Sequence, residues 1–236
     1  LVQRCFHLRN SAWRIGVLRG GAYWPISQRK QQWSQTMSDY QFREGQPSSD
    51  QAPVFFVFHG TGGDENQFFD LAGQLLPGAH IIAPRGDVSE GGALRYFKRT
   101  GEGVYDMADL ALRTDKMAAF IASRKTPGRK VVGLGYSNGA NILASVQFKA
   151  PNLFDATILM HPLIPFAPAP SDFSGRQVLI TAGQRDPMAS MATTQGLHDY
   201  FVQNGAEASL AWHSGGHELR QEELLAAQKF LLPFRA

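Results

Sequence analysis

The run Val131-Val132-Gly133-Leu134, entered from Lys130, leads straight into Gly135-Tyr136-Ser137-Asn138-Gly139. A short, continuously apolar stretch reads as a strand buried on both faces, the kind found in parallel sheets covered by helices. A glycine-bounded serine at its end reads as a sharp strand-to-helix turn, with the hydroxyl lifted above the sheet and the next backbone NH opening a helix. The pattern alone fits an ordinary glycine-rich turn equally well. A reactive role for Ser137 therefore depends on what the rest of the chain places near it.

The rest of the chain repeats the same layout. Strand-like runs are expected at residues 53–58, 80–83, 156–160, 177–181 and 208–212, and helical patterns after Asp64 to Leu76, from Met107 to Ile121, and over 138–149, 190–203 and 218–230. Such alternation predicts an α/β fold with a mostly parallel central sheet and helices on both faces. The stretch 84–106 is long, Gly-rich and aromatic, as functional or disordered loops are. The Pro-rich 162–170 reads as an extended loop within the domain.

The 236 residues, 43% of them hydrophobic, suit one domain with an ample core. The formal charge of +3 is uneven, because residues 1–36 hold six basic residues and no acid, which leaves 17 basic and 20 acidic residues in the body. A mildly acidic body gives no reason to expect nucleic acid or an anionic membrane as partner. No run is long and apolar enough for stable membrane insertion. The single cysteine, Cys5, allows no internal disulfide and makes the cytoplasm the expected compartment. Residues 1–37 read as a basic extension outside the fold, either a leader or an upstream segment that ends at Met37, with a single domain over 38–236.

An unactivated serine is a poor nucleophile and needs a base with a group to orient it. Asp186 lies in the loop after the 177–181 run, and His217 lies in the glycine-rich turn after the 208–212 run. Loops at the C-terminal ends of parallel strands converge on one edge of the sheet, so the order Ser, Asp, His can be assembled there. His217 would take the serine proton, and Asp186 would hold the imidazole tautomer. His213 is the rival base but belongs to the strand end, whereas His217 follows two glycines. His161 is followed by Pro162 and reads as pocket lining. The segment His59-Gly60-Thr61-Gly62-Gly63 offers the Thr61 backbone NH to pair with that of Asn138 as an oxyanion site. No lysine follows it as a phosphate-binding loop would require, no dinucleotide fingerprint is present, and no metal or cofactor is expected.

Six motifs then carry a resemblance: His59-Gly60-Thr61-Gly62-Gly63-Asp64-Glu65, Pro84-Arg85-Gly86, Arg95-Tyr96-Phe97-Lys98-Arg99, Gly135-Tyr136-Ser137-Asn138-Gly139-Ala140-Asn141, Gly183-Gln184-Arg185-Asp186-Pro187 and Gly216-His217-Glu218-Leu219. Over residues 53–235 the chain resembles the phospholipase/carboxylesterase branch of the α/β-hydrolase superfamily. The resemblance implies the α/β-hydrolase fold with little or no lid and a cofactor-free esterase. It implies Ser137, Asp186 and His217 as triad and Thr61 and Asn138 as oxyanion donors.

The expected activity is that of a serine carboxylesterase on short- to medium-chain or aromatic esters, with a small-molecule ester as partner and a homodimer left open. Thioesterase or lysophospholipase action would use the same residues, and a non-catalytic ligand-binding module on this fold is the alternative of another class. Phe69, Tyr96, Phe97, Tyr105, Leu163, Ile164 and Phe166 are the pocket candidates. The basic residues of 95–99 suit either a substrate carboxylate or a solvated loop. Within the same fold, a dienelactone hydrolase is expected to carry cysteine at position 137, and a haloalkane dehalogenase or epoxide hydrolase aspartate. Ser137 speaks against all three.

Overall fold

The computed structural model describes residues 40–235, which belong to one compact unit. The expectation for residues 1–37 lies outside the described residues. Strands β1 (Phe42–Gly45), β2 (Val54–Phe58), β3 (His80–Pro84), β8 (Val131–Tyr136), β9 (Ala156–Met160), β10 (Gln177–Gly183) and β11 (Glu207–His213) form a seven-stranded sheet. Its order is β1-β3-β2-β8-β9-β10-β11, with β1 antiparallel to β3 and every other pairing parallel. Two hairpins, β4 (Val88–Glu90) with β5 (Ala93–Arg95) and β6 (Arg99–Gly101) with β7 (Val104–Tyr105), fill what the sequence suggests is a long loop.

The helices are α1 (Phe69–Leu75), α2 (Met107–Ser123), α3 (Asn138–Lys149), α4 (Met191–Gln203) and α5 (Gln221–Phe230). Alternate strand residues feed two cores. Val54, Phe56 and Phe58 pack with Met117, Phe120, Leu143 and Phe201 of α2, α3 and α4. Phe55 and Val57 pack with Ala72, Leu75 and Ala227 of α1 and α5. Period-two side-chain alternation thus accounts for wholly buried strands.

β1 and the starts of α1 and α5 also depart from the sequence reading. β1 is absent from it because Phe-Arg-Glu-Gly is short and polar, as edge strands are. α1 begins at Phe69, because Asp64 turns back to accept from the Asn66 amide at 2.9 Å and holds 64–68 in turns. α5 begins at Gln221, because the Glu218 carboxylate is taken by Arg220 and the Gly216 amide.

The chain leaves β2 for β3 on one side and returns to β8 on the other. That reversal opens a crevice above the C-terminal ends of β2 and β8.

Candidate active site

At the end of β8 the chain turns so tightly that no side chain would fit two residues to either side of Ser137. A Cβ on Gly135 would strike the Gly139 carbonyl, and one on Gly139 would strike the carbonyls of Phe58 and His59. Ser137 itself sits at φ 52° and ψ −117°, a backbone region that L-residues rarely occupy. Its amide donates to the Met160 carbonyl at 2.9 Å, which fixes the turn to β9. A serine at a helix N-cap ordinarily bonds the helix's own amides. Here the hydroxyl makes no such bond and instead lies 2.9 Å from His217 Nε2.

His217 Nδ1 lies 2.7 Å from Asp186 Oδ2, so a hydrogen-bonded line runs Ser137, His217, Asp186. The line depends on two features of the turn that carries His217. Gly183 has no side chain to collide with the Gly215 and Gly216 carbonyls, and the Tyr136 hydroxyl donates to the His217 carbonyl at 2.8 Å. The Asp186 carboxylate is buried and also accepts from the Met188 amide at 2.8 Å. Burial alone would raise its pKa, but bonds from His161, His217 and Met188 outweigh burial and hold it below the usual carboxylate value. The imidazole tautomer follows: Nδ1–H donates to the carboxylate, and Nε2 is free to take a proton from Ser137.

The loop after β2 is held by neutral hydrogen bonds. Gly86 donates to His59 Nε2 at 2.8 Å, so the ring proton is on Nδ1, which donates to the Gly60 carbonyl at 2.7 Å. Burial lowers the His59 pKa, in accord with a neutral ring. Gln67 accepts from the Gly60 amide at 2.8 Å and Leu94 from the Gly62 amide at 2.9 Å. The loop brings Thr61 to the cleft that also contains Ser137, Asn138, Asn141, Tyr105 and Leu163.

Of the pocket candidates, Tyr105 and Leu163 line this cleft. Ile164 and Phe166 line a neighbouring groove with Leu197 and Tyr200. Tyr96 and Phe97 are fully buried instead; the Tyr96 hydroxyl accepts from the His59 amide and donates to the Pro84 carbonyl, tying β2 to β3. Phe69 lies under the Arg43 guanidinium at 3.8 Å, half-buried and packed against the core cluster that contains Phe55. Aromatic content alone does not distinguish such struts from a pocket wall.

Arg95 and Arg99, which the sequence reading leaves between a substrate carboxylate and a solvated loop, line the cleft, and Glu90 pairs with both. That reading gives no role to Met188, which also lines the cleft, or to Asn141. Asn141, one helical turn beyond Ser137, joins the Leu163 amide at 2.7 Å to the Tyr105 hydroxyl at 2.7 Å. Its i+4 spacing from Ser137 was the available signal. His161 is not pocket lining. It is buried and lies 2.9 Å from Asp186 and 3.0 Å from Glu223, a residue no motif singles out. His213 is also buried, 3.2 Å from Glu223. Donor atoms of His161, His213 and Glu223, and of His161, Asp186 and His217, lie within 4.8 Å of one another, as metal ligands would. Hydrogen bonds account for these ring nitrogens, with His161 Nε2 and His213 Nε2 3.4 Å from one another.

MhqD of Bacillus subtilis (strain 168), named as a hydrolase, is 38% identical over 182 residues, which cover 75% of this chain and 91% of MhqD. The protein Atu2452 of Agrobacterium tumefaciens str. C58, of unknown function, is 52% identical with a TM-score of 0.77, over 83% of this chain and 96% of that one. A Bacillus cereus carboxylesterase is 30% identical with a TM-score of 0.79, over 86% of this chain and 97% of that one. These neighbours agree with the α/β-hydrolase fold read from the sequence. The family model described as "Dienelactone hydrolase family" matches residues 43–223. Reading Ser137 as a mark against that family is therefore corrected, since the match includes a chain with serine at this position. With the matched segment spanning the loop after β2, the turn at Ser137, Asp186 and His217, the chain belongs to the dienelactone hydrolase family of α/β-hydrolases.

Proposed function

We propose that the protein is a serine carboxylesterase acting on short- to medium-chain or aromatic esters. The observation that carries this reading is the unbroken line from Ser137 Oγ through His217 to the buried Asp186, at 2.9 and 2.7 Å. Ser137 Oγ attacks the ester carbonyl carbon while its proton passes to His217 Nε2, and the oxyanion accepts hydrogen bonds from the Thr61 and Asn138 amides. The helix-opening position of Asn138 favours that negative charge. His217 then protonates the departing alkoxide, which leaves an acyl group on Ser137. A water molecule, deprotonated by the same imidazole, releases the carboxylic acid and restores the serine.

Leu163, Tyr105 and Met188 give the cleft an apolar wall suited to the hydrocarbon part of such an ester. Similarity to the B. cereus carboxylesterase supports the same class. A fluorophosphonate probe with p-nitrophenyl acetate as substrate tests the assignment. The wild type is expected to be labelled and to turn over, and Ser137→Ala to do neither. Labelling that persists in the variant would remove Ser137 from the role. A wild type silent in both assays would favour a binding module.

A further inference from the structure

Asp186 Oδ2 accepts from two imidazoles, His217 Nδ1 on the cleft side at 2.7 Å and His161 Nδ1 on the buried side at 2.9 Å. The other nitrogen of His161 lies 3.0 Å from Glu223 Oε1. Glu223 also accepts from the Thr181 hydroxyl at 2.5 Å and the Arg220 amide at 2.8 Å. The Gly215 amide donates to His213 Nδ1 at 3.0 Å, so the His213 ring proton is on Nε2, which lies 3.2 Å from Glu223 Oε2 and 3.4 Å from His161 Nε2. A carboxyl that receives these donors on both oxygens is ionised. His161 therefore has a carboxylate oxygen 2.9 or 3.0 Å from each ring nitrogen. An unprotonated Nε2 would set its lone pair against Glu223 Oε1 and take its hydrogen bond from His213 Nε2 at 3.4 Å, whereas a protonated Nε2 is matched to the nearer carboxylate.

We propose that His161 is a resident imidazolium that grips Asp186 from behind, with Glu223 as its counter-ion, and that this buried pair positions and charge-balances the acid of the active site. The inference rests on the serine esterase reading for its catalytic consequence, though not for the state of His161. At rest the buried group holds two carboxylates and one imidazolium, a net charge of −1. When His217 takes the serine proton the group becomes neutral. Glu223 thus supplies the anion that His161 would otherwise draw away from His217 through Asp186. Around His161, the titratable neighbours are Asp186, Glu223, His213 and His217, with the Tyr136 ring edge-on at 5.8 Å. Side-chain exposure of His161 and Asp186 is 0% and that of Glu223 2%, so solvent does not screen the pair. Neither His161 nor Glu223 lines the cleft with Ser137, which makes both positioning residues.

Nitrogen-15 NMR of histidine-labelled wild-type protein tests the charge state directly. Both His161 nitrogens are expected to remain protonated at pH 8, where an ordinary imidazole is neutral. A neutral His161 at that pH would overturn the proposal, whether or not Ser137 proves to be the nucleophile. In Glu223→Gln the double protonation is expected to be lost at pH 8, and kcat to fall about tenfold with KM little changed. An unaltered His161 titration and unaltered kcat in a folded variant would also overturn it. If that variant fails to fold, the wild-type spectrum still decides.

Discussion

The two halves of the crevice are built from different materials. On the β2 and β8 side, backbone amides, glycines and a neutral histidine set the geometry, and the tolerances are steric. On the β9 to β11 side, Asp186, His161, Glu223, His213 and His217 form a network of titratable side chains. Steric geometry does not respond to pH, whereas the charged network is set by it. One half should therefore fail through substitutions that add volume, and the other through changes of charge.

The largest effect is expected on the charged side. Asp186→Asn removes the acceptor that fixes the His217 tautomer, and steady-state kinetics should show kcat reduced by about four orders of magnitude. A near-normal rate would mean that another group orients His217. On the steric side, Gly139→Ala drives a methyl group into the Phe58 and His59 carbonyls. A loss of about 3 kcal/mol follows, seen as a melting temperature about 10 °C lower. A melting temperature within experimental error of wild type would show that the turn has room the structure does not suggest.

The smallest effect distinguishes the halves by pH. Hydrogen bonds hold Asp186 and Glu223 below ordinary carboxylate values against the upward push of burial. Their stabilisation is present above the unfolded-state value of about 4 and is lost as pH falls through the lower folded values. Burial would lower the His161 pKa, but bonds to Glu223 and Asp186 raise it. Its contribution is complete below the unfolded value of about 6.5 and is lost as pH rises through the folded one. The melting-temperature deficit of Glu223→Gln should accordingly be greatest at intermediate pH and shrink toward acid, while that of Gly139→Ala stays level. Parallel pH profiles for the two deficits would erase the distinction.

The same division explains what the sequence made legible. The turn at Ser137 is a local event, written in five adjacent residues, and chain order alone brings Asp186 and His217 to the same edge. His161 and Glu223 lie 62 positions apart and meet only because α5 packs against the end of the sheet. A histidine before proline and a glutamate near a helix start carry no local mark of that meeting. Tyr96 and Phe97 were misplaced for the converse reason, since a motif records that residues matter without recording whether they face substrate or core.

Ser137 at φ 52° and His161 at φ 51° are the non-glycine residues, among those described, with left-handed backbone. Each such residue costs a fold about 1–3 kcal/mol. They stand at the ends of neighbouring strands, one presenting the hydroxyl and the other holding the acid in place. Glycine at either position would let the main chain relax. Selection of variants for heat resistance alone would therefore tend to erase these two side chains first, giving a sturdier fold with its chemistry removed.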